Sequence, residues 1–205
     1  SNYGSYHHNL FAHHSSRNPR MASGSGYTDY RNNVIYNWGY NSCYGGEEKQ
    51  RGNAERNFSV FNIVGNYYKP GPATQPGEVS HRIANPSFDP ESDIHGKWYI
   101  ADNVVEGNTA VTGNNWNGGV QTQNDSLASV KLMRDRPWPS MPINQHTARE
   151  AFLAVLKSAG AILPKRDAID SRIIQEVQDG CANYEGDGYK EKVSIADPSR
   201  ICEIG

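Results

Sequence analysis

The chain has no long apolar run. No stretch approaches the ~18 consecutive apolar residues that mark a transmembrane helix, so no segment reads as a membrane span. Nor has it a surplus of charge: 20 Lys and Arg against 22 Asp and Glu leave a formal net charge of −2, which gives none of the global positive field that nucleic-acid binding exploits. Charged residues make up 20% and hydrophobic residues 36% of the 205 positions, both below ordinary globular usage. Cysteine is scarce. Cys43, Cys181 and Cys202 cannot all pair within the chain, and no CxxC or zinc-ribbon spacing occurs. Cys181 and Cys202 flank a polar tail and are placed to close it with one bridge, leaving Cys43 free or paired elsewhere. The first residues show no signal-peptide pattern, and the opening SNYGSYHHN is expected to be the interior of a longer protein. Gly, Asn, Ser and Tyr fill the space, with 20 Gly, 12 Tyr and 4 Trp. That balance suits an extracellular, carbohydrate-facing protein of one or two domains.

The first two-thirds carry a repeat. Its copies are HHNLFAHH (7–14), YRNNVIYNW (30–38), VFNIVGNYY (60–68) and IADNVVEGN (100–108). Each places an asparagine (Asn9, Asn33, Asn62, Asn103) before two or three apolar residues, and a second asparagine often follows (Asn37, Asn66, Asn108). Successive copies lie 24, 29 and 41 residues apart, near one coil of a solenoid with insertions. A short β-rich run cannot bury its own apolar face. Stacking copies about 4.8 Å apart buries a continuous core and pairs the backbone groups of each coil with the next. Asparagine suits the bends because it tolerates left-handed backbone and hydrogen-bonds locally, and stacked asparagines would form an internal amide ladder. The pattern predicts a parallel β-helix; a jelly roll or sandwich with Asn-rich turns is the alternative.

The grammar changes near residue 142. Thr147 and Glu150 form a capping box, and Ala148, Ala151, Phe152, Val155, Leu156 and Ala159 make an apolar stripe ending at Gly160. A second helix is predicted from Asp167 to about Val177, with Ile169, Ile173 and Val177 inward and Gly180 as its stop. The expected organisation is coils over 1–141 and a helical and irregular extension over 142–205, with the helices packed on the stack or capping one end. In the polar tail, EGDG offers only Glu185 and Asp187 to a calcium loop, too few acids for the usual pattern.

The chemistry gathers in HHSSRNPRM (13–21). Pro19 fixes its own φ and restricts Asn18, so Arg17 and Arg20 sit on stiff backbone, and a bend there would turn both outward. A guanidinium cannot be buried unpaired. Residues 1–56 hold six Arg and Lys (17, 20, 31, 49, 51, 56) against four acids (29, 47, 48, 55), with four of the seven histidines. That makes a modest cationic patch for an anionic ligand, unless Arg17 and Arg20 are spent on structural bridges to Asp29 and Glu47. His8 and His14 would share a strand face, yet no third metal ligand has matching spacing. Ser, His and Asp are present without a nucleophile elbow. In WGYNSCYGGEEKQRGN (38–53), Tyr40, Asn41 and Tyr44 could offer rings and amides to sugars, while Gly39, Gly45 and Gly46 allow close backbone approach.

HHNLFAHHSSRNPRM, DYRNNVIYNWG (29–39), NIVGNYYKPGP (62–72) and LKSAGAILPKRDAIDSRIIQEV (156–177) together resemble the pectate lyases of polysaccharide lyase family one, with R-N-P-R at 17–20 the most specific element. The resemblance implies a right-handed parallel β-helix, secreted or otherwise at the periplasm or cell surface. It also implies calcium-assisted β-elimination of α-1,4-linked polygalacturonate, giving 4,5-unsaturated ends. On this reading Arg17 is the general base, and Arg20, His14, Tyr40, Asn41 and Tyr44 contact the acidic polysaccharide. An arginine often found two residues after the motif is replaced by Ala22, and the family's closing Gly-Gly-Trp-Pro-like segment by RICEIG. The family's calcium-binding carboxylates and a substrate lysine lie upstream of the motif, so they are expected outside this chain, on an N-terminal part of the same protein. An arginine is protonated at ordinary pH, so an alkaline optimum is expected. Three rivals stand beside it. One is a hydrolase using Asp29 with Glu47 or Glu48, whose carboxylates would need to stand about 5–9 Å apart. The others are a noncatalytic polysaccharide-binding β-helix and a lyase for another uronic-acid polymer.

Overall fold

The computed structural model describes residues 3–47, 58–91, 95–122, 130–183 and 198–202. The tail acids Glu185 and Asp187, with Glu48, lie outside the described residues. Among the described residues, eleven strands form three parallel sheets. Sheet A stacks β1 (Tyr3–His7), β4 (Gly26–Arg31), β7 (Ser59–Val64) and β10 (Lys97–Ala101). Sheet B stacks β2 (Leu10–Ala12), β5 (Val34–Tyr36), β8 (Tyr67–Lys69) and β11 (Val104–Val105). Sheet C stacks β3 (Arg20–Met21), β6 (Cys43–Gly45) and β9 (Ala84–Pro86). The chain visits A, B and C in that order on three successive circuits and begins a fourth with β10 and β11. After β11 come a short helix, α1 (Thr109–Gly113), and Val120, which bridges to Ala84 of sheet C.

Alternation within each strand builds the core. Tyr30, Ile63 and Ile100 are register partners on sheet A, as are Phe11, Ile35, Tyr68 and Val105 along sheet B, and all belong to one apolar cluster. Fully burying each such side chain is worth about 1.5–3 kcal/mol. At the A-to-B turn, amides run in series. The side-chain Nδ2 of Asn9 donates to Asn33 Oδ1, Asn33 to Asn66, Asn66 to Asn103 and Asn103 to Asn115, at 2.9–3.1 Å. The third rung is therefore Asn66, not Asn62. Asn62 lies mid-strand in β7, opposite Asp29, where its Nδ2 donates to Asp29 Oδ1 and to the Trp138 carbonyl. Asn108 is no rung either; it caps α1 by accepting from the Val111 amide.

Sheet B is apolar on both faces, so its outer face needs a cover. Helices α2 (Ala148–Ser158) and α3 (Ala168–Asp179) supply it, packing Ala148, Val155, Leu156, Ile174 and Val177 on Val34, Tyr36 and Tyr67. The Thr147–Glu150 capping box is present, and Gly180 ends α3 in the left-handed conformation. The inward face of α3 differs from the expectation: Ile169 is 62% exposed, and Ile174 takes the buried position. The rotation lets α3 bury Glu176, 2% exposed, against the stack. Glu176 accepts from His13 Nε2 and Arg172, each at 2.8 Å, and from the Asn183 amide. Burial alone would push its carboxyl pKa up; the His13, Asn183 and Arg172 hydrogen bonds outweigh that and hold it below the ordinary value. Cys181 and Cys202 are bridged, and Cys43 is free and buried.

On sheet A the segment containing Trp138, Ser140 and Gln145 lies over the outer face. Trp138 exchanges hydrogen bonds with Asn62 and donates to the Thr28 carbonyl, while Ser140 and Gln145 accept from Arg31. Sheets A and B are thus roofed by the C-terminal third. On sheet C the outward residues Arg20, Tyr44 and Asn85 remain open or half-open to solvent. No helix among the described residues is long and apolar enough to cross a membrane.

Candidate functional site

The outward row of sheet C is reached through the turn that carries R-N-P-R. Asn18 is buried and ties that turn down: its Nδ2 reaches the carbonyls of His14 and Asn41, each at 3.3 Å, and its amide donates to Ser42 O at 3.1 Å. Arg17 has a left-handed backbone, φ 65°, uncommon outside glycine. It is turned into solvent, and Arg20 is exposed as well.

Tyr44 joins the two arginines. Its hydroxyl accepts from Arg17 Nε at 3.1 Å, and Arg20 lies over its ring, 5.9 Å from the centroid. Arg20 also pairs with Glu47. Asp29 serves neither: it is fully buried on sheet A and held by Arg31 through Nε to Oδ2 (2.6 Å) and NH2 to Oδ1 (2.5 Å). The alternative bridge from Asp29 to an R-N-P-R arginine is therefore absent, while the one from Glu47 to Arg20 is present. For the rival hydrolase reading, Asp29 is buried within sheet A and held by Arg31, and Glu47 lies just past β6, paired with Arg20. Beside Tyr44 lies a depression of about 220 Å³, lined by Glu47, Asn85, Ser87 and Phe88 among others. The Arg17 pKa is raised by the Tyr44 hydrogen bond and the charge interaction with Tyr44, so the guanidinium is firmly cationic in this arrangement.

Of the other expected contacts, Tyr40 is 55% exposed and close enough to Arg17 to influence its charge. Asn41 is half-buried, with its carbonyl engaged by Asn18. His14 serves the turn: its Nδ1 meets Asn18 Oδ1 at 3.2 Å, and its ring lines a cleft with Ile173, Ile174 and Asp170 of α3. Sequence reasoning missed Arg82. Register places it three residues before Asn85, as Asn41 precedes Tyr44 and Arg17 precedes Arg20. The signal was there to be counted, but only once the circuits were aligned.

His8 does not pair with His14. It bridges His7 Nδ1 (3.0 Å) and His146 Nδ1 (2.9 Å) in a chain of three rings. Burial, then the charges of His7 and His146, lower its pKa below the ordinary 6.5. The unfolded chain therefore binds the proton more readily, so this group contributes stability above pH 6.5 that is lost as the pH falls through the lower folded value. Denaturant midpoints measured above and well below pH 6.5 should drop on acidification, and the drop should shrink in His8→Asn, which suits the left-handed φ of 56°. An unchanged drop would rule out His8 as its source.

The fold defines a class: stacked parallel strands in three sheets, with a cationic and aromatic row on sheet C, which none of the described C-terminal segments covers. No family model matches the chain. It is 30% identical over 195 residues to the probable pectate lyase C of Aspergillus fumigatus, covering 94% of this chain and 40% of that protein. It is 29% identical over 194 residues to the protein of that name from Aspergillus terreus, with the same coverage, and 28% identical over 179 residues to the one from Emericella nidulans. Over nearly all of its length the chain is therefore similar to proteins named probable pectate lyase C. It spans about two fifths of the length of the curated relatives from Aspergillus fumigatus and Aspergillus terreus.

Proposed function

We propose that this chain forms part of a secreted polysaccharide lyase that cleaves α-1,4-linked polygalacturonate by β-elimination. Its three sheets would then be the walls of a right-handed parallel β-helix, and the substrate would lie on sheet C. The observation that carries the reading is the exposed Arg17–Tyr44–Arg20 group, set on a tied-down turn in a homologue of pectate lyases. In the reaction Arg17, in its neutral form, takes the hydrogen at C5 as a proton. The C5–H electron pair becomes the C4–C5 double bond, the C4–O bond breaks, and the departing oxygen takes up a proton. Arg20 and Tyr44 orient the uronate, and fixed cations beside the carboxylate stabilise the charge that develops there. Because the Tyr44 hydrogen bond favours the charged form of Arg17, the base works only once the guanidinium is released from Tyr44 or the pH is high.

Calcium, which the family resemblance implies, does not fit the residues in hand: among the described residues no group of three or more His, Cys, Asp or Glu side chains could hold a metal ion. We place its ligands on a further coil, stacked on the β1, β2 and β3 edge and supplied by an N-terminal part of the same protein. The exposed Arg17 and Arg20 guanidiniums gathered on Tyr44 also suit a second reading, a noncatalytic binder of acidic polysaccharide. Ultraviolet absorbance of the unsaturated product decides between them. Product from polygalacturonate at alkaline pH supports the lyase; binding without product across several uronic polymers leaves the binder.

A further inference from the structure

Arg82 stands in the place of Arg17 two circuits further along the stack. Strands stack about 4.8 Å apart, so the two positions are roughly 10 Å apart along the axis. Arg82 is half-buried, and its hydrogen-bond partners among the described residues are neutral oxygens: Nε donates to Gln121 Oε1 at 2.6 Å, and NH1 to the Tyr40 carbonyl and Asn41 Oδ1 at 3.3 and 3.4 Å. Among the described residues no carboxylate forms an ion pair with it; Glu78 acts on it only through longer-range charge. Burial lowers its pKa, the mark of a cation whose lost hydration is not fully replaced. Tyr40 and Asn41, on the circuit between, connect it to the Arg17 turn: Asn41 accepts from Asn18 on one side and Arg82 on the other.

We propose that Arg82 forms a carboxylate subsite for the acidic polysaccharide, so that the polymer runs along the stack, across the strands, from Arg17 past Tyr40 and Asn41 to Arg82. The inference rests on the reading of sheet C as the polysaccharide face, but not on catalysis. A chain lying this way meets an equivalent position every circuit, and two of the three positions carry a guanidinium. Three neutral hydrogen bonds through Nε and NH1 hold the Arg82 guanidinium in advance and leave NH2 to donate to a carboxylate, which lowers the ordering cost of binding one.

Affinity electrophoresis through gels containing polygalacturonate tests this, with fully methyl-esterified pectin as the uncharged comparison. The wild-type chain should be retarded by polygalacturonate and much less by the ester. Arg82→Gln should bind about threefold to tenfold more weakly, the range for losing one half-exposed charged hydrogen bond. Arg82→Lys, with the charge but without the anchored guanidinium, should fall between, and thermal unfolding of both variants checks the fold. Wild-type retardation in both variants overturns the subsite, as does a wild-type chain that polygalacturonate fails to retard. Retardation that depends on Arg82, with no unsaturated product from the full-length protein in the presence of calcium, would sink the lyase reading and leave the subsite standing.

Discussion

Arg17→Ala is expected to lower the rate of polygalacturonate elimination by about 10²–10⁴-fold, the usual worth of a positioned general base, with little change in stability. Arginine and alanine both carry a Cβ, so the left-handed backbone at residue 17 costs each of them about the same. The turn is held by Asn18 and its partners in the His14 to Ser42 region, none of which involves the Arg17 side chain. A fall in rate with an unchanged unfolding midpoint therefore isolates the guanidinium. Tyr44→Phe supplies the mechanistic control. It removes the acceptor that raises the Arg17 pKa, so the alkaline limb of the rate profile should move to lower pH. Full activity in Arg17→Ala, or a profile that does not move in Tyr44→Phe, would remove Arg17 from the role of base.

The largest effect on stability is expected from Asn66→Ala. The Asn66 side chain donates to the Tyr30 carbonyl at 3.0 Å and to Asn103 Oδ1 at 2.9 Å, and its Oδ1 accepts from both the amide and the side chain of Asn33. It is fully buried. Alanine strands the Asn33 donors and the Tyr30 carbonyl away from water, at about 1–3 kcal/mol for each group. The sum is a large part of the 5–15 kcal/mol that holds a typical domain together, so the variant should unfold at much lower denaturant or fail to accumulate. In this chain by itself, Asn9→Ala, at the exposed end of the same series, should cost little, because water can replace its contacts. Equal, small losses at both positions would mean that the ladder does not bind the circuits together.

Local chemistry was legible before any pairing was known. Thr147 with Glu150, Gly180 after α3 and the Cys181–Cys202 bridge were all read from residues close in sequence or from simple counting, and all are present. The asparagine series was read too, but its register slipped at VFNIVGNYY. That segment offers two asparagines four apart; Asn62 sits mid-strand and Asn66 at the bend. On a strand-to-turn segment both are plausible rungs until the neighbouring circuit fixes the register. The same difficulty concealed Ile174, since the α3 face depends on what lies beneath it, here Tyr36, Tyr67 and the His13 partner of Glu176.

By itself the sequence determined the repeating strand-and-bend grammar, the change to helices near residue 142 and the stiff R-N-P-R turn, because each rests on short-range geometry: backbone preference, capping and side-chain alternation. Only the tertiary structure decided which asparagines stack, which sheets the C-terminal third covers and that Arg82 follows Arg17 along one face. Those relations cross circuits of unequal length, 24 residues from Arg20 to Tyr44 and 41 from Tyr44 to Asn85. Loop closure tolerates such differences at small cost, so strand pairing, not sequence spacing, sets which side chains meet.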